Sequence, residues 1–213
     1  MNFYAAILIS LGVFTILFYL NWNRIDKIVD ESTFARFLLY GILLGIVYTV
    51  LFLYAFLTIS TYIDLMFLVT FLFLPLLSSG EQLSVITGKY RQREDLYQLG
   101  SSLGGAFSFP VSFGIAIVTE GGFQDYFYVA LIASFAFITN LMSGTLLAEG
   151  AKFNKIRLYY ALAFLVQILF SSAVFLEYLK GSYALIAVVP EVILATFLYF
   201  GFFHKQLGTA ISA

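Results

Sequence analysis

Five polar residues stand in stretches that are otherwise almost wholly apolar: Glu81, Gln82, Asn140, Gln167 and Glu191. An ionisable side chain at the centre of a bilayer costs about 3 kcal/mol on insertion scales, so each carboxylate here is a candidate for function. Glu191 directly follows Pro190. The proline removes one intrahelical hydrogen bond and bends the helix beside the carboxylate. Such a glutamate can bind a proton or a ligand, link two helices, or sit protonated and hydrogen-bonded inside a bundle. Asn140 and Gln167 carry amides, which donate and accept but do not titrate; interhelical bonding is their ordinary role in lipid. Glu81 and Gln82 fall at the end of an apolar stretch, where a solvated pair is the plain expectation. Asp64 lies near the start of that stretch, within reach of interfacial water. Taken together, Glu81, Gln82, Asn140, Gln167 and Glu191 are the candidates for one polar cavity.

The rest of the inventory excludes most chemistries. The chain has no cysteine and a single histidine, His204. A catalytic zinc needs about three protein ligands, so no metal site is expected. The Ser-His-Asp and Cys-His arrangements fail for the same reason. There is no aspartyl dyad, Walker loop or dinucleotide fingerprint, and no cofactor is called for. A net charge of −1 names no nucleic-acid partner.

These residues must be positioned by membrane helices. The chain is 62% hydrophobic and 11% charged, where a soluble domain carries about 25% charged residues. A spanning helix needs about 20 mostly apolar residues. Seven segments qualify: 3–21, 34–57, 60–78, 99–119, 126–147, 159–178 and 183–203. The fold expected is therefore an all-α polytopic bundle forming one transmembrane domain. The start, Met-Asn-Phe-Tyr, lacks a basic n-region, so the first segment is expected to remain as a span. With seven spans, Lys180 alone among the 11 Lys and Arg lies opposite the others. The positive-inside rule then places the N-terminus outside and the basic loops and C-terminus in the cytoplasm.

The fourth segment has a stripe of small residues at four-residue spacing: Gly100, Gly104, Ser108, Ser112 and Ala116. Side chains four apart stack on one helix face. In lipid, helices associate by close backbone approach, which small residues permit. Gly41 and Gly45 repeat the spacing in the second segment. Pro110 is expected to kink the stripe, leaving Gly100 and Gly104 for one interface and Ser112 with Ala116 for another.

From Gly80 onward the order of features resembles a membrane superfamily. It holds the prenyl-CAAX proteases, the PrsW-type proteases and the anterior-pharynx-defective subunit of gamma-secretase. Gly80-Glu81-Gln82-Leu83-Ser84 stands where members carry paired glutamates. Gly100, Gly104 and Ser108 resemble the repeated Gly-xxx-Gly of the gamma-secretase subunit. Asn140 and Gln167 fall where the two histidines would lie. The resemblance implies seven spans with the N-terminus outside. It also implies lost proteolysis, because Gln82, Asn140 and Gln167 keep hydrogen bonding without acid-base or metal-ligating capacity. The expected function is a non-catalytic scaffold that binds another membrane protein or a second copy. The alternatives are a transporter or channel with a midplane polar pathway, and a metal-independent intramembrane hydrolase.

Overall fold

Hydrocarbon offers no hydrogen-bond partners, so a chain this apolar must satisfy its backbone within each segment, as a helix does. The computed structural model describes residues 3–25, 29–59, 62–88, 90–118, 123–178 and 184–203, and these form seven helices with no strand among them. They are α1 (Phe3–Ile25), α2 (Glu31–Ile59), α3 (Ile63–Ile86), α4 (Leu96–Val118), α5 (Phe123–Lys152), α6 (Ile156–Tyr178) and α7 (Ala184–Leu198). A π turn, Tyr199–Phe203, continues α7. Helices α2 to α6 are long and apolar enough to cross a membrane; the described apolar stretches of α1 and α7, Ile7–Asn21 and Val189–Gly201, are shorter. His204 lies outside the described residues, as do residues 119–122 and 179–183.

The main departure from the sequence expectation is α3, which continues past residue 78 to Ile86. Ser78, Ser79 and Gln82 lower the local hydropathy, but they are buried, so the helix persists with its polar face turned inward. Near its middle, Val69–Phe73 widens to a π turn just before Pro75. A proline lacks an N–H and its ring crowds the carbonyl four residues back; a wider turn relieves both. Pro110 and Pro190 sit inside helices that run on across them.

Helices α4 and α5 form the inner pair. The spanning windows of both are 83% buried, against 22% for α2 and 33% for α3 and α6. Outer α2 faces away from the bundle with Leu39, Leu43, Val50, Tyr54 and Leu57, all at least half exposed. That spacing marks the lipid-facing stripe of an outer helix.

Glycines set the inner contacts. A Cβ at Gly104 would overlap the carbonyl oxygen of Asn140, and one at Gly100 would lie 2.6 Å from the Ala148 Cβ. Gly144 of α5 reciprocates against the Gly100 carbonyl. Across the bundle, a Cβ at Gly41 would stand 2.8 Å from Ala106 Cβ, and one at Gly45 would overlap the Phe107 carbonyl. So α4 does serve two interfaces, but they are divided differently from the expectation. Ala116 packs with Val129 of α5 and Ile9 of α1, while the α2 interface is opened by α2's own Gly41 and Gly45 and by Gly114 against Thr49. Ser108 and Ser112 are buried and donate to carbonyls of their own helix, of Gly105 and Phe109.

One end of the bundle is tied by polar contacts. Asp30 precedes α2, and its carboxylate accepts from the Thr33 hydroxyl at 2.8 Å, the Ser32 hydroxyl at 2.9 Å and the Thr33 N–H at 3.1 Å. This is a helix N-cap. Arg93 reaches the Thr33 hydroxyl at 3.4 Å and clasps Asp95 at 2.7 and 2.8 Å. Arg91 bonds the Ala151 carbonyl and the Asn154 side chain. The starts of α2 and α4 and the end of α5 therefore meet here.

Two outcomes test this packing. Gly104→Val should destabilise the detergent-solubilised protein by about 1–3 kcal/mol, as overpacking does. Gly12→Val should be far milder in the same thermal-unfolding measurement, because a Cβ there meets nothing within 4 Å beyond its own helix. The hydrogen bonds of Thr33, then of Ser32, hold the Asp30 carboxyl below its usual value of 3.8. A depressed folded pKa gives stability that is present above the unfolded value and lost as pH falls through the folded one. Asp30→Asn should therefore lower stability at neutral pH and remove Asp30's share of the stability lost as pH falls below about 4.

Candidate functional site

Asn140 sits on α5 where its own backbone presses on Gly104 of α4. Its Nδ2 donates to the Ala136 carbonyl one turn back at 2.8 Å, which turns the side-chain oxygen outward to the neighbouring helices. That oxygen accepts from Gln167 Nε2 of α6 at 2.9 Å and from Gln82 Nε2 of α3 at 3.2 Å. Ser78 Oγ, one turn before Gln82, completes the group at 3.5 Å from both. Gln82, Asn140 and Gln167 are 0, 1 and 2% exposed. Three helices are thus joined through a single amide oxygen.

The members are amides and a hydroxyl. None titrates near neutral pH, and none is a strong metal ligand. What this group can do is hold helices by interhelical hydrogen bonds. Gln82 Oε1 is buried without a hydrogen-bond partner among the described residues. Among the described residues no three His, Cys, Asp or Glu side chains cluster as metal ligands.

The five expected cavity residues do not all come together. Gln82, Asn140 and Gln167 do. Glu81 and Glu191 do not hydrogen-bond to them. Consecutive helical residues point about 100° apart, so the turn that aims Gln82 at Asn140 carries Glu81 away. Glu81 is half-buried, within electrostatic range of Tyr48 on α2, and its Oε2 has no hydrogen-bond partner. The expected solvated Glu81–Gln82 pair is therefore replaced by one fully buried amide and one half-buried carboxylate. Glu191 accepts from the Ser172 hydroxyl of α6 at 2.9 Å, which joins α7 to α6. Ser172 lies five residues beyond Gln167, more than one helical turn. Asp64, in the first turn of α3, is exposed as expected.

Ser78 escaped the sequence reading, although its spacing of four from Gln82 puts both on one face. A second buried contact also escaped it: the Tyr199 hydroxyl donates to Asn21 Oδ1, joining α7 to α1. Both residues sit close to the ends of apolar segments, where a polar group ordinarily reaches water.

Asn140→Leu leaves two amide donors buried without their acceptor, and should cost about 1–3 kcal/mol in unfolding measured in detergent or bicelles. The quadruple change Ser78→Ala, Gln82→Leu, Asn140→Leu and Gln167→Leu should cost less than the sum of its parts, because the members that bond one another are removed together. No family model, curated protein or solved structure matches the chain, so the functional reading rests on its own residues.

Proposed function

We propose that the chain is a non-catalytic multi-pass membrane protein, a scaffold or partner-binding subunit built on an intramembrane-protease-like bundle. The observation that carries the reading is the Gln82–Asn140–Gln167 group. These residues occupy the places where the resembling family carries a second glutamate and two histidines. Here Gln82 and Gln167 each spend a donor on the Asn140 side-chain oxygen. A hydrolase would need a base and a water beside a common centre; Glu81, the carboxylate retained from that pattern, faces away from the group. A midplane solute path would need Glu191 to join Asn140 and Gln167, and Glu191 is bonded to Ser172 instead. The partner is another membrane protein or a second copy, bound within the bilayer. The proposed topology has the N-terminus outside and the basic connections cytoplasmic. It is supported by the meeting of Arg93, Arg91 and Lys152 at one end of the bundle.

The test has two arms. Extraction of the tagged chain from its native membrane in a mild uncharged detergent should give a particle heavier than one chain, with a fixed stoichiometry by native mass spectrometry. A monodisperse single chain would overturn the partner. In the second arm, the purified protein should neither cleave membrane substrates nor conduct protons in proteoliposomes. Cleavage abolished by Glu81→Gln, or flux abolished by Glu191→Gln, would overturn the non-catalytic, non-transporting assignment.

A further inference from the structure

Where α3 ends, α4 begins and α5 ends, Arg91, Gln92, Arg93, Glu94, Ala151 and Lys152 line an open hollow. Its cations are not equivalent. Arg93 is neutralised by Asp95, the one ion pair within 4 Å among the described residues. Among the described residues neither Arg91 nor Lys152 has a carboxylate within 4 Å, although Glu94 lines the same hollow. Arg91 is held in place through Nε to the Ala151 carbonyl and Nη2 to Asn154, whose backbone is left-handed with φ 57°. A guanidinium has five N–H donors, so three remain to be directed elsewhere. Lys152 spends one of its three donors on the Glu94 carbonyl at 3.3 Å. Lys155 and Arg157 line the adjoining hollow and add two further positive charges.

We propose that this end of the bundle binds the phosphate headgroup of an anionic glycerophospholipid, with Arg91 and Lys152 as its principal ligands. An arginine and a lysine beside each other supply the fork and the point charge that a phosphate takes. Two features select a lipid over free phosphate. The hollow lies at the ends of three membrane helices, the depth at which headgroups lie. Beside it, Phe153 and Leu158 are 59 and 58% exposed, apolar surface for the acyl chains and glycerol backbone of the same molecule. Basic pockets between transmembrane helices bind anionic headgroups in this way, and each basic contact strengthens the association about five-fold.

The experiment uses the full chain in dodecyl maltoside, titrated with dioleoyl-phosphatidylglycerol, dioleoyl-phosphatidylcholine or inorganic phosphate. Lipid retention is read by native mass spectrometry and stabilisation by thermal shift. Phosphatidylglycerol should be retained and should raise the melting temperature; phosphatidylcholine should not. Millimolar phosphate should give no comparable shift. Arg91→Gln and Lys152→Gln should each reduce phosphatidylglycerol retention about five-fold, and Lys152→Arg should preserve it. Arg91 also braces the loop at Asn154, so its variant can weaken folding; Lys152→Gln, whose single bond is exposed, then decides. Equal retention of the two lipids, an equal shift with phosphate alone, or unchanged retention by Lys152→Gln would overturn the proposal.

Discussion

The backbone contact between α4 and α5 is the constraint on which the bundle depends. Within lipid, apolar side chains gain little by leaving one apolar medium for another, so two helices stay together through packing and hydrogen bonds. Both need short distances. Gly100 and Gly144 allow the two backbones to meet where any Cβ would overlap a carbonyl. Gly104 does the same beneath Asn140. The other five helices then assemble around this pair. Its other side carries α2 through a second set of small residues, Gly41, Gly45 and Gly114. A bulky residue at any of these points would push apart two helices and also the layer that rests on them.

The amide group follows from that contact. Gly104 admits the backbone of Asn140, and the bond from Nδ2 to Ala136 leaves the amide one free direction for its oxygen. Gln82 and Gln167 reach that oxygen from helices packed on α5. The chain of dependence thus runs from a glycine on the inner helix, through a backbone contact, to the register of α3 and α6. It continues outward through tyrosines. The Tyr160 hydroxyl of α6 donates to the Leu76 carbonyl of α3 at 3.2 Å, and Tyr128 of α5 to the Ala173 carbonyl of α6 at 3.3 Å.

Much of this architecture was legible because lipid simplifies the rules. A segment of the right length and apolarity has to be helical, and a stripe such as Gly100–Gly104 has to mark close approach. Gly41 and Gly45, at the same spacing, lie against the backbone of α4. The sites that escaped share a physical cause. Hydropathy scores each residue alone, whereas burial depends on what lies across from it. Ser78, Ser79 and Gln82 scored as the end of a span, yet α4, α5 and α6 bury them or the helix that carries them. Gly114 has no regular spacing to advertise it, and Gly144 shares a four-residue spacing only with Ala148; the importance of both glycines is plain opposite Thr49 and Gly100. Glu81 and Gln82 read alike as neighbours, but a helix separates their directions.

A purely apolar bundle would leave one thing undetermined. Leucine against leucine packs tolerably at many rotations, and lipid does not punish a wrong one, since it solvates whatever apolar face is turned outward. A buried amide does punish it. Turn α6 by one residue and Gln167 loses Asn140, which leaves a polar group in hydrocarbon at a cost that a misplaced leucine never incurs. The same holds for α3 through Gln82, for α7 through Glu191 and Ser172, and for α1 through Asn21 and Tyr199. Each outer helix except α2 is therefore registered by at least one buried polar bond, and α2 is registered by the shape of its glycines instead. On the scaffold reading proposed above, this kind of specification matters more than stability, because a partner recognises a surface only if the helices that form it have one fixed rotation.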